Sequence, residues 1–239
     1  MAERRRFWEI DFAKGMAIAM MVLFHFLWDL NYFGFIRVSL YSGFWGLFQK
    51  ATAGLFILLV GVLLTLSYNR NRQGYAMRFA KRGAMVFGAG MLITLFTLIA
   101  FPEQFIYFGV LHFIGVSIIF SIPFVGKKWL SLAAGAIVFA VPLAFSLYSA
   151  NIQPLMWLGF AVPRATLDFF PVFPWFSAML AGIFLGNVLY KGGERKFEPE
   201  KMHLPRIGLL ESMGKNSLLV YFLHQPVLFA AIYAVKLFF

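Results

Sequence analysis

The chain has 239 residues, 61% of them hydrophobic, 19% aromatic and 13% charged, with a mean hydropathy of +0.78. A soluble domain carries about twice that share of charge, so a soluble enzyme and a disordered chain are both excluded, and an all-α, polytopic transmembrane bundle is expected. There is no cysteine, which excludes a disulfide framework, a thiolate metal site and a cysteine nucleophile, and the net charge of +11 must be explained by topology or by a partner.

Crossing the hydrocarbon takes about 20 mostly apolar residues, and seven runs meet that length: 12–33, 44–68, 83–100, 105–125, 129–149, 170–190 and 216–237. Segment 1 follows a charged flank, but it is long for a signal peptide and has no small-residue cleavage site, so it is expected to remain. Segments 3 and 4 are joined by the short link Phe101-Pro102-Glu103-Gln104. The stretch 151–167 is apolar but broken by Pro154, Pro163 and Arg164, and reads as an interfacial or re-entrant loop. The polar stretch 192–206 reads as a linker. No internal repeat is visible, and residues 1–239 read as a single domain.

Basic residues favour cytoplasmic loops. Arg4, Arg5, Arg6 and Lys14 flank segment 1; Arg70, Arg72, Arg78, Lys81 and Arg82 fill the second connection; Lys127 and Lys128 make the fourth. Lys191, Arg195, Lys196, Lys201, Arg206 and Lys215 lie in the sixth. These are alternate loops, so the N-terminus is expected inside and the C-terminus outside. The positive charge then needs no nucleic acid.

Ionisable side chains inside a bilayer are costly and mark function by default. In segment 1, His25 and Asp29 are i and i+4 on one face, and a carboxylate there can orient an imidazole acting as general base. Their bland alternative is a histidine satisfied by backbone and an acid wetted at the helix end. His112 sits in segment 4 between Gly109 and Gly115, about 10 Å from the outer end at 1.5 Å per residue, a depth like that of His25. It serves either that layer or helix packing. Lys50 lies at similar depth in segment 2 as a partner for Asp29 or Asp168, or snorkels outward. At the start of segment 6, Pro171, Pro174 and Trp175 suit the interface, while Asp168 points to the same outer layer. Ser217, Tyr221 and His224 form an i, i+4, i+7 stripe in segment 7, either a hydrogen-bonded seam or a ligand contact, with His224 counted nearer the inner side. Segments 3 and 5 carry no such groups. The histidines are too scattered for a metal motif, and His203 lies in a loop.

Four stretches in order, WEIDFAKGMAIAMMVLFHFLWDL, FGVLHFIG, DFFPVFPWFSAMLAGIFLG and MGKNSLLVYFLHQPVL, together resemble the small archaeal and bacterial relatives of heparan-α-glucosaminide N-acetyltransferase, within the transmembrane acyltransferases. The resemblance covers nearly the whole chain. It places Asp11, Gly15 and His25 on the family's first-helix motif, His112 on the fourth, and His224 and Gln225 on the last. It implies acetyl transfer from cytosolic acetyl-CoA, with no metal, to an amine or hydroxyl such as that of an amino sugar, at or across the cell membrane. On that reading the catalytic residues are His25, Asp29, His112 and Asp168. Lys14, Arg78, Arg82 and Lys215, with His224 and Gln225, are expected at the acetyl-CoA site, joined on the inner rim by Arg5 and Arg6. Lys50 and Trp175 are expected at the acceptor. The partners are a small-molecule acceptor and membrane lipids, with a homodimer compatible. The alternative from another class is a small-solute or proton-coupled transporter using the same histidines and acids as a relay.

Overall fold

A computed structural model describes residues 7–145, 147–163, 165–198 and 207–238. Arg4, Arg5, Arg6, Arg164, Lys201, His203 and Arg206 therefore lie outside the described residues. Eight α-helices occur among those described: α1 Trp8–Tyr32, α2 Gly43–Arg70, α3 Tyr75–Ala100, α4 Val110–Phe120, α5 Lys128–Phe145, α6 Val172–Leu189, α7 Gly208–Lys215 and α8 Ser217–Lys236. Six of them (α1, α2, α3, α5, α6 and α8) are long and apolar enough to cross a membrane, and α4 is a shorter apolar helix. The protein is thus a multi-pass, all-helical membrane protein, with a helix inside every expected segment and the fourth of these helices shorter than the six spans.

The differences in length have local causes. α3 begins before its apolar run, so Arg78, Lys81 and Arg82 lie on helix and not in a loop. Arginine and lysine are good helix formers, and a helix does not stop where its hydropathy does. α4 has 11 residues where 21 were expected. Its forward half is replaced by extended backbone: Leu167 N–H donates to Gln104 O at 2.9 Å, Phe170 N–H to Phe108 O at 3.0 Å, and Phe108 and Phe169 form a parallel bridge. At its other end the chain turns through residues 121–126, with Gly126 at φ +82°. The stretch 151–167 carries a 3₁₀ helix, Gln153–Leu158, and no span.

The described chain forms two compact units. The first comprises residues 1–56 and 198–239 and holds α1, the beginning of α2, α7 and α8. In it α7 crosses α1 at two glycines: a Cβ on Gly15 would collide with the Leu210 carbonyl, and one on Gly214 with the Asp11 carbonyl. Such backbone contact is how helices associate where no hydrophobic drive exists between them. The second unit, residues 57–197, packs the rest of α2 on α6 through Gly61 and Gly182, each backed by the facing carbonyl of Met179 or Leu58. Thr65 Oγ1 adds bonds of 3.3 Å to both Gly61 O and Ile183 O. In this unit α3 also packs along α4, and α5 along α6.

Candidate active site

In the first unit, α1 turns His25 and Asp29 toward α8. His25 Nδ1 lies 2.9 Å from Met21 O, one turn back on its own helix. A carbonyl only accepts, so Nδ1 carries the hydrogen and Nε2 the lone pair. His224 follows the same rule, its Nδ1 lying 2.7 Å from Tyr221 O and 3.2 Å from Val220 O. Its Nε2 is then an acceptor, and it stands 3.3 Å from His25 Nδ1. The His25 N–H is therefore shared between Met21 O and His224, with the two rings at 69° to each other and centroids 4.9 Å apart. His25 Nε2 has no hydrogen-bond partner among the described residues. An unprotonated ring nitrogen fixed in direction is what a general base or an acyl-accepting nucleophile needs.

Asp29 is fully buried and takes a different partner from the one expected. Its Oδ1 accepts from Gln225 Nε2 at 2.8 Å, while Met21 O and His224 hold the imidazole. Side chains on a helix lean toward its N-terminus, so the His25 ring leans to Met21 and away from Asp29. The meeting of His25 and His224 also departs from a depth count made from helix ends. Because α7 accompanies the foot of α1 at Asp11–Gly15, α8 begins part-way along α1 and brings His224 to the level of His25.

The second unit holds His112 and Asp168. His112 Nδ1 accepts the Gly109 N–H at 3.2 Å, which leaves Nε2 as the protonated nitrogen, donating to Thr94 Oγ1 at 3.3 Å. Thr94 passes its own hydrogen to Ile106 O at 2.7 Å. Asp168 Oδ2 accepts the Val110 N–H at 2.8 Å, which caps the start of α4 from a distant part of the chain. Thr166 Oγ1 donates to Phe105 O at 2.9 Å beside it. A Cβ on Gly109 would collide with the Asp168 carboxylate. Asp168 lies outside the helices, and burial pushes its carboxyl up to about 6 despite the N–H groups of Val110 and Phe169. Both nitrogens of His112 are engaged, so this cluster ties helix ends to extended backbone.

The family model described as heparan-alpha-glucosaminide N-acetyltransferase, catalytic, matches residues 6–226. The chain belongs to this family. It is accordingly a membrane acetyltransferase, and the match runs through both units and all four histidines. No curated protein and no solved structure matches the chain.

The remaining expected positions of this transferase divide by what already engages them. Lys14 Nζ is paired with Asp11 at 2.8 Å, and the Arg78 guanidinium donates to the carbonyls of Gln73 and Asn71. Arg82 and Lys215 are exposed. Lys50 is exposed on α2 and makes no ion pair among the described residues. Trp175 packs against Phe170 with ring centroids 4.9 Å apart. Among the described residues no three His, Asp or Glu side chains gather as a metal site. Three participants escaped the sequence reading. Met21 acts through its carbonyl, which no side-chain pattern reveals. Thr94 and Thr97 lie in a segment read as featureless, yet Thr97 Oγ1 also takes the Ile106 N–H at 3.1 Å; hydroxyls three apart near the end of an apolar helix were the available signal.

Proposed function

We propose that the protein moves an acetyl group from cytosolic acetyl-CoA to the amine or hydroxyl of a small-molecule acceptor, such as an amino sugar, at or across the cell membrane, with His25 as the reacting base. The observation that carries this reading is the His25 tautomer: Nδ1–H committed to Met21 O and His224, Nε2 left with its lone pair. In the proposed reaction Nε2 takes the proton of the acceptor as its nitrogen or oxygen bonds to the thioester carbonyl. The C–S bond then breaks, and the departing thiolate takes that proton back from Nε2. His224 accepts the shared N–H and supports the imidazolium formed in between. The apolar helices exclude water that would otherwise hydrolyse the thioester. Lys215, exposed in the same unit as His25 and without a carboxylate partner among the described residues, is the cation assigned to the phosphates of acetyl-CoA.

The deciding experiment is transfer of labelled acetyl from acetyl-CoA by detergent-purified protein and by His25→Ala. Loss of a general base costs about 10²–10⁴-fold in rate, with acetyl-CoA still stabilising the variant against heat. A variant within a few-fold of wild type overturns the assignment. Absence of any acetyl-CoA stabilisation in the wild-type protein favours the transporter instead. The orientation, N-terminus inside and C-terminus outside, has its own test. Cysteines replacing Arg72 and Lys196 stay shielded from an impermeant thiol reagent in right-side-out vesicles, while one replacing Arg37 is labelled; the reverse pattern overturns it.

A further inference from the structure

One bond joins Asp29 to Gln225, and it leaves two oxygens unaccounted for. Gln225 Nε2 donates to Asp29 Oδ1, while Asp29 Oδ2 and Gln225 Oε1 are buried with no hydrogen-bond partner. If Asp29 is ionised, both oxygens are acceptors, and the interior holds a charge with one hydrogen bond beside an amide carbonyl with none. Leaving each such group unbonded is costly, and a charged one more so. Turning the amide over offers no escape, since it would set carbonyl against carboxylate and lose the bond already made. Neighbouring groups supply no donor either. The Nδ1–H of His25 on α1 and that of His224 on α8 are committed to carbonyls; Lys236 lies over the Phe33 ring at 5.4 Å, and Lys50 of α2 is exposed.

A single hydrogen on Asp29 satisfies both oxygens at once. We propose that Asp29 is a carboxylic acid whose Oδ2–H donates to Gln225 Oε1, closing a two-bond carboxyl–amide ring between α1 and α8. The site is a proton-binding site, and it makes Asp29 and Gln225 positioning residues. Gln225 follows His224 directly, so the ring fixes the rotation of α8 that holds His224 Nε2 on the His25 N–H. This role rests on the acetyl-transfer reading; the proton itself does not.

The test is infrared difference spectroscopy of the full-length purified protein at neutral pH, wild type against Asp29→Asn, with Gln225→Leu as the third sample. Asparagine is an isostere able to make the same two bonds, so its fold is retained. The expected result is a carboxylic-acid carbonyl band in the wild type that is lost in Asp29→Asn and shifted in Gln225→Leu. A carboxylate band assigned to Asp29 overturns the proposal whatever the activity, and an acid band that Gln225→Leu leaves unmoved overturns the ring. For the positioning role, kcat of Asp29→Asn exceeds that of Asp29→Leu by about 3- to 10-fold, the equivalent of roughly one hydrogen bond, with KM for acetyl-CoA alike. If the asparagine variant is no better than the leucine variant, the positioning role is wrong even where the infrared band is present.

Discussion

The two histidine clusters start from the same ingredients, an imidazole and a carboxyl among apolar residues, and finish in opposite states. At His112 every ring nitrogen has a partner: Gly109 N–H on one side, the Thr94 hydroxyl on the other. Asp168 beside it caps α4. At His25 one nitrogen is held from two directions and the other is left with its lone pair. In a medium without water, a satisfied polar group is explained by the structure it holds together. An unbonded lone pair held in one direction, as on the half-buried His25, is open to a reaction or a ligand. Burial alone ranks His112 (2% exposed) ahead of His25; bond accounting reverses the order.

The sharpest way to break that contrast is to remove each ring. His25→Ala lowers transfer by about 10²–10⁴-fold with a small change in the thermal midpoint. His112→Ala lowers the midpoint first, leaving Gly109 N–H and the Thr94 hydroxyl without their partner, while the rate per folded molecule falls far less. Equal rate losses in the two variants would erase the distinction. Next in size is Gly109→Ala, whose methyl group displaces the Asp168 carboxylate from α4. Overpacking of this kind costs about 1–3 kcal/mol, read as a lower melting temperature in detergent.

Asp168 gives the contrast a pH dependence. Burial raises its carboxyl from the usual 3.8 to about 6, so the folded state binds its proton more tightly than the unfolded state does. The stability linked to that proton is full below 3.8 and is lost as pH rises through about 6. Melting temperatures followed from pH 4 to 8 therefore decline across that window, and Asp168→Asn flattens this part of the decline. A rise with pH that Asp168→Asn removes would contradict the sign. The smallest effect concerns the cations. Lys215→Gln weakens acetyl-CoA binding by the roughly 0.2–1 kcal/mol typical of an exposed charge contact, and Lys14→Gln, already engaged by Asp11, by less. Isothermal titration at low salt separates the two.

Much of the fold was legible because apolar run length dictates helix in a bilayer. The positions of α1, α2, α5, α6 and α8 follow from it within a few residues. α7 was not legible: its eight residues are too few for a periodic pattern, and its role depends on Gly15 and Gly214 meeting. α4 was misjudged in length because hydropathy cannot tell a helix from extended backbone whose polar groups are satisfied elsewhere. For the site, the sequence singled out His25, Asp29, His224 and Gln225, but not their pairing. Register between α1 and α8 depends on where α7 crosses, and ring orientation depends on the lean of side chains along a helix.

The tie between residues 104–108 and 166–170 has a kinetic consequence. The amides of Leu167 and Phe170 belong to no helix and that of Val110 precedes the first intrahelical bond of α4, yet Leu167 N–H and Phe170 N–H end on the carbonyls of Gln104 and Phe108, and Val110 N–H on Asp168. Their exchange with deuterium is governed by opening of that tie and not by fraying of a loop. These three amides therefore retain their hydrogens while Glu103, in the link to α3, gives its hydrogen up, and the start of α4 is held closed from a stretch nearly sixty residues downstream.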